Sequence, residues 1–168
     1  MKNINDHLVQ KRKQIRLNAD KYSLRGYYFI TICTLNRRCL FGNILDGETL
    51  LNEAGKMLQQ IWINLPNIYK KINIDTLMIM PDHVHAIIEI TDPTRSISLP
   101  DIIKSVKSYT TTQYIKGVRS CGWPEFNKKL WQRGYHERQF RMNAPGDVTV
   151  ISNERDTWDT AISNGGTT

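Results

Sequence analysis

The chain has 168 residues, of which 40% are hydrophobic and 23% charged, the profile of an ordinary single domain that can bury a core without disulfides or a structural metal. No apolar run approaches the roughly 18 residues that a membrane-spanning helix needs, and the N-terminal MKNINDHLVQKRKQIR lacks the apolar centre of a secretory signal. Three cysteines, Cys33, Cys39 and Cys121, form no C-x-x-C pair and leave one over in any disulfide scheme, so they read as free thiols of a cytoplasmic protein.

The net charge of +7 is uneven along the chain. Residues 1–142 hold 22 Lys and Arg against 12 Asp and Glu, a net +10, whereas residues 143–168 hold one Arg against four acids, a net −3. Such a basic body is a candidate footprint for a polyanion, although composition alone is equally consistent with a solvated basic surface.

The first 24 residues are polar, with QKRKQIR as a basic cluster, and read as an arm or short helix. The β-branched and aromatic residues of YYFITICTLNRR (27–38) predict a strand. FGNILDGE reads as a turn-rich connection. In TLLNEAGKMLQQIWINLPNIY the spacing of Leu51, Met57, Leu58, Ile61, Trp62 and Leu65 predicts a helix, with Pro66 as its stop. INIDTLMIM and HVHAIIEI then predict two strands joined by a tight Pro-Asp turn.

A second helix follows in SLPDIIKSVKSYTTTQYIKG, with Ser98 as its cap, Pro100 and Asp101 in its first turn and Gly117 as its stop. Its inner face is expected to carry Ile102, Ile103, Val106, Tyr109 and Gln113. A last strand falls near KLWQRGYHERQF. The order strand, helix, strand, strand, helix, strand is the ferredoxin-like or RRM-like α+β plan, an antiparallel sheet with two helices on one face and the other face free for ligands. The expected organisation is a basic arm over 1–24, one domain over 25–142 and an atypical tail over 143–168. That tail is acidic and rich in Gly, Ser, Thr and Asn, with a short strand near DVTVI.

One stretch of this plan carries chemistry. In MPDHVHAIIEI, His83 and His85 stand two apart on a strand and so share one face, while Val84, Ala86, Ile88 and Ile90 share the other. Two neutral imidazoles converging from one strand are half of a divalent-metal site. The simpler alternative is a pair of histidines hydrogen-bonded to their neighbours. A complete site needs further ligands, for which Asp82, Glu89, His136 and Glu137 are available without being specified by spacing.

The segments MPDHVHAII, IIKSVKSYTTTQYI and LWQRGYHERQFR, in that order, resemble the REP-associated tyrosine transposases, members of the HUH class of single-strand DNA nucleases. The resemblance covers roughly residues 20–142, and the HUH motif itself corresponds to His83, Val84 and His85. It implies a ferredoxin-like fold in which the two histidines hold Mg²⁺ or Mn²⁺ against a scissile phosphate of single-stranded, hairpin-forming DNA. It also implies a tyrosine that attacks the phosphorus, leaving a 5′-phosphotyrosine and a free 3′-hydroxyl, so that the strand can be rejoined to another end in DNA transposition. Both monomers and homodimers occur in the family.

The chain departs from that pattern at the nucleophile. The family places it on a C-terminal helix after the WQRGY segment, whereas here no tyrosine follows Tyr135 and Pro145-Gly146 break any helix starting near Met142. Three explanations stay open: a degenerate C-terminus on an inactive core, a nucleophile relocated to Tyr109, Tyr114 or Tyr135, or a module that binds nucleic acid without cutting it. Of these tyrosines, Tyr109 reads as a core aromatic, Tyr114 as the better exposed, and Tyr135 as an aromatic of the WQRGY segment that is not the family's nucleophile. Lys104, Lys107, Arg133, Arg138 and Arg141 are the expected DNA contacts. Trp123, Trp131 and Tyr135 are candidates for stacking on bases, with core packing favoured for Trp131, and Arg12, Lys13 and Arg16 are candidate phosphate clamps.

Overall fold

The computed structural model describes residues 25–92, 98–144 and 147–151, with side chains through Phe140. Strand β1 (Gly26–Cys33) leads through a hairpin of β2 (Gly42–Leu45) and β3 (Glu48–Leu51) into helix α1 (Glu53–Ile63) and the short α2 (Leu65–Ile68). Strands β4 (Ile72–Ile79) and β5 (His83–Ile90) form the second hairpin, and α3 (Leu99–Cys121), β6 (His136–Ala144) and β7 (Asp147–Ile151) complete the order. The main sheet is antiparallel, in the order β4-β5-β1-β6-β7. Its first four strands have the ferredoxin-like arrangement, and β7 extends the sheet beyond residue 142.

The period-2 alternation of β1 and β5 decides which face is closed. Tyr28, Ile30 and Ile32 of β1 and Val84, Ala86, Ile88 and Ile90 of β5 are buried, together with Leu58 and Trp62 of α1 and Ile102, Ile103 and Val106 of α3. Both long helices therefore cover one face, while the alternate residues of β1 and β5 turn to the other. Among the described residues, no helix is long and apolar enough to cross a membrane. Cys33, Cys39 and Cys121 are free thiols.

Four expectations from the sequence change at this level. FGNILDGE is a β-hairpin rather than a plain connection, with Asp46 (φ 51°) and Gly47 (φ 82°) supplying the left-handed pair that a tight two-residue turn requires. Leu51 consequently belongs to β3, and α1 starts after Asn52, whose side-chain oxygen accepts from the Gly55 amide at 2.9 Å. Pro66 does not end α1 but sits in the first turn of α2, where its missing N–H is harmless. Gly117 does not end α3 either, since the helix continues to Cys121 and left-handed Gly122 closes it. Glycine is needed at 117 for space, because a Cβ there would stand 2.1 Å from the Trp123 ring.

The burial stripe of α3 is also rotated from the expected one. Leu99, Ile102, Ile103, Val106, Thr110, Tyr114 and Gly117 are buried, whereas Tyr109 is 53% exposed. The centre of the stripe follows Leu99, Val106, Thr110 and Gly117, and the polar Thr110 is accepted there because its hydroxyl donates to the Val106 carbonyl at 2.7 Å. Counting Tyr109 as apolar draws the predicted face toward it by part of a turn.

Candidate functional site

His83 and His85 project from β5 onto the open face, beside Cys33 and Thr31 of β1 and with Met78 of β4 flanking His85. Their rings meet edge to face, 4.6 Å between centroids, with the two Nε2 atoms 3.0 Å apart. Each Nδ1 has a partner behind it: that of His83 lies 2.5 Å from Asp82 Oδ1 and that of His85 lies 2.8 Å from Thr31 Oγ1. Phe29, two residues before Thr31 on the same face, stacks on the His85 ring at 5.4 Å.

These partners decide what the nitrogens can do. An ionised carboxylate only accepts, so Nδ1 of His83 carries its proton toward Asp82 and Nε2 presents a lone pair. The Thr31 hydroxyl can donate to or accept from His85, which allows either tautomer of that ring. With no cation present, His85 donates Nε2–H to His83 and accepts from Thr31. With Nδ1–H turned to Thr31, both Nε2 lone pairs face the same point, a donor set suited to a divalent cation. Burial above all, then the neighbouring His83 and Arg37 charges, lowers the His85 pKa below the usual histidine range and favours the neutral, ligating form.

The other ligand candidates are distributed differently. Asp82 stands behind His83 and also pairs with Arg37, Nε to Oδ2 at 2.8 Å. Glu89 lies at the far end of β5, where it accepts from Asn73 at 2.9 Å. His136 is opposite Thr31 on β6 and shares the open face, while Glu137 is opposite buried Ile30 and faces the helices. Among the described residues, no group of three His, Cys, Asp or Glu side chains gathers as a metal shell.

The tyrosines separate in the same way. Tyr114, expected to be the better exposed, is fully buried, and its hydroxyl donates to the Pro124 carbonyl at 2.9 Å. Burial raises its pKa and disfavours the phenolate. Tyr109, expected in the core, is exposed, but α3 lies across the sheet from the histidines. Tyr135 is half-buried below Lys107, whose Nζ is 5.6 Å from the ring centroid.

Lys107 donates to the carbonyls of Gln132 at 3.0 Å and Gly134 at 2.6 Å, which ties α3 to the segment before β6. Lys104 and Arg133 are exposed, and Arg138 is exposed on the open face opposite Phe29. The Arg141 side chain and the arm with Arg12, Lys13 and Arg16 lie outside the described residues. Trp131 is core, as expected, donating Nε1–H to Thr110 at 2.9 Å, and Trp123 packs on Tyr114.

A model of the family described as "Transposase IS200 like" matches residues 23–149. The chain belongs to that family. This membership connects the chain to DNA transposition. An uncharacterized protein of Haemophilus influenzae is 33% identical to it over 145 residues, 79% of this chain and 81% of that one. A solved structure of a candidate transposase from Deinococcus radiodurans shares the fold, with a TM-score of 0.51 at 19% identity over 68% of this chain and 78% of that one. A REP-associated tyrosine transposase bound to a REP hairpin aligns with a TM-score of 0.47 at 20% identity, covering 71% of this transposase-like chain and 59% of that one.

Sequence reasoning singled out the histidine pair, and Asp82 as an available ligand, but not the other residues that orient the rings. Thr31, Phe29 and Arg37 are all distant from the HVH motif along the chain. The only sequence signal for the first two was their alternation on β1, one strand away.

Proposed function

We propose that this chain holds single-stranded, hairpin-forming DNA across the open sheet face and carries out metal-dependent cleavage and strand transfer there, in DNA transposition. The observation that carries this reading is the convergence of the two Nε2 atoms at 3.0 Å, each ring fixed by a partner on its Nδ1. His83 and His85 would hold the cation through these atoms, and two imidazoles suit Mn²⁺ at least as well as Mg²⁺. When bound, such a cation polarises a phosphoryl oxygen and offsets charge developing on it. Asp82 keeps the proton on Nδ1 of His83, and Thr31 receives the one on Nδ1 of His85. Phe29 fixes the ring plane, and Arg138 offers a positive charge on the same face, with Arg133, Lys104 and Arg141 as further cations for the strand. Lys107 contributes by shaping the segment 132–135 rather than as a mobile phosphate contact.

A second reading, in which the chain binds this DNA without cutting it, is favoured by the tyrosines: Tyr114 is buried with its hydroxyl bonded, and Tyr109 sits in the helix layer. Incubating wild type, His83→Ala and single Tyr→Phe variants at 109, 114 and 135 with a hairpin oligonucleotide and Mn²⁺ separates the two. A covalent adduct removed by His83→Ala and by one Tyr→Phe change establishes the first reading. Binding without an adduct in any variant establishes the second, and absence of binding overturns both.

A further inference from the structure

The segment that follows β1 is held in an unusual conformation beside the histidines. Asn36 (φ 59°) and Arg37 (φ 55°) are consecutive non-glycine residues in the left-handed region, which costs free energy and persists only where the surroundings over-determine it. They are over-determined here. The Thr34 amide donates to the Asp82 carbonyl at 2.9 Å, its hydroxyl lies 3.0 Å from the same oxygen, and the Leu40 and Phe41 amides donate to the Pro81 carbonyl at 2.9 and 3.0 Å. This lacing joins the segment 34–41 to the Pro81-Asp82 turn that immediately precedes His83.

The conformation delivers one side chain. Arg37 Nε meets Asp82 Oδ2 at 2.8 Å, while Asp82 Oδ1 takes His83 Nδ1, so one carboxylate fixes a guanidinium and a metal-type histidine together. Arg37 Nη1 also donates to Cys33 Sγ at 2.9 Å. A guanidinium has five N–H donors, and this side chain remains 51% exposed. Pairing with Asp82 and Cys33 therefore leaves part of the guanidinium facing solvent beside the histidines.

We infer that Arg37 is a phosphate-contacting residue of this site, its guanidinium braced by Asp82 beside the histidine pair to take a phosphate oxygen of the bound strand. The inference rests on the DNA-binding reading above and adds a cation that acts on the strand without the metal. Asp82 then has two duties, turning the His83 proton inward and preventing the guanidinium from swinging away.

The test uses anisotropy titrations of a single-stranded hairpin oligonucleotide across a salt series in EDTA, with Mn²⁺ affinity measured separately by calorimetry. Arg37→Asn removes the charge while keeping a residue that accepts positive φ, and Arg37→Lys restores the charge. Arg37→Asn should weaken hairpin binding in EDTA by about tenfold and lower the slope of log K against log salt by about 0.7, the value for one lost single-strand phosphate contact. Mn²⁺ affinity should be unchanged or tighter, since a nearby cation has gone, and Arg37→Lys should recover the slope. His83→Ala should do the reverse, losing Mn²⁺ and keeping hairpin binding in EDTA. Wild-type hairpin affinity and slope in Arg37→Asn would overturn the inference and leave the DNA-binding reading standing. So would a parallel loss of Mn²⁺ affinity, which would make Arg37 only a brace for Asp82. A wild-type chain that binds no hairpin overturns both.

Discussion

Strand β5 and helix α3 both carry residues that the sequence marks for chemistry, and they use polar atoms in opposite ways. On β5 and its neighbour β1, the polar atoms are arranged in pairs that leave one nitrogen of each histidine facing the other across 3.0 Å. On α3 they are consumed: Tyr114 by the Pro124 carbonyl, Lys107 by two carbonyls before β6, and Thr110 by Val106 and Trp131. Polar side chains thus frame a cluster on the open face in one layer and fasten the fold in the other. The difference lies in whether the polar atoms bond to backbone carbonyls or to one another on the open face.

The contrast is most easily broken at Tyr114. Tyr114→Ala removes a fully buried aromatic and should cost about 3–5 kcal/mol in urea unfolding, the range for large core aromatics cut to alanine, without altering Mn²⁺ affinity in the protein that stays folded. A loss below about 1 kcal/mol, the size of one ordinary hydrogen bond, would mean that α3 is not the pillar it looks. On the other layer, Thr31→Val keeps the strand and deletes the hydroxyl behind His85. Mn²⁺ affinity should fall by about tenfold, as for other outer partners of metal-bound histidines, while the thermal midpoint stays close to wild type. Equal Mn²⁺ binding would show that Phe29 alone orients the ring. The smallest effect is expected at Tyr109, where Tyr109→Ala should stay within about 0.5 kcal/mol of wild type, as surface positions do; a larger cost would restore it to the core.

How far the sequence foretells this arrangement depends on the kind of signal. The two histidines and the buried set Val84, Ala86, Ile88 and Ile90 are legible because a strand alternates strictly, and one residue of slip would turn all of them over. The helix face was harder. Tyr109 and Tyr114 lie on either flank of the buried stripe of α3, and helical periodicity without packing cannot say which flank is covered. Lys107 looked like a DNA contact because a charge on a helix shows its sign in the sequence but not its partner. The hairpin over 42–51 was signalled by Asp46-Gly47, a strong turn pair, between strands too short to announce themselves. Thr31 and Arg37 were illegible for a different reason. Their roles are created by strand pairing and by backbone lacing across about 50 residues of chain, a relation that no local pattern records.

The place of β5 in the sheet has a consequence for time as well as for geometry. From His83 to Ile90 it is bordered by β1 on one side and, with one irregularity, by β4 on the other. Amide protons in such an inner strand exchange with solvent only through the largest openings of the molecule, not through the fraying available to edges and loops. The two imidazoles are therefore anchored on an inner strand of the main sheet, where slow amide exchange is expected, and their spacing is set by backbone that opens only with the sheet.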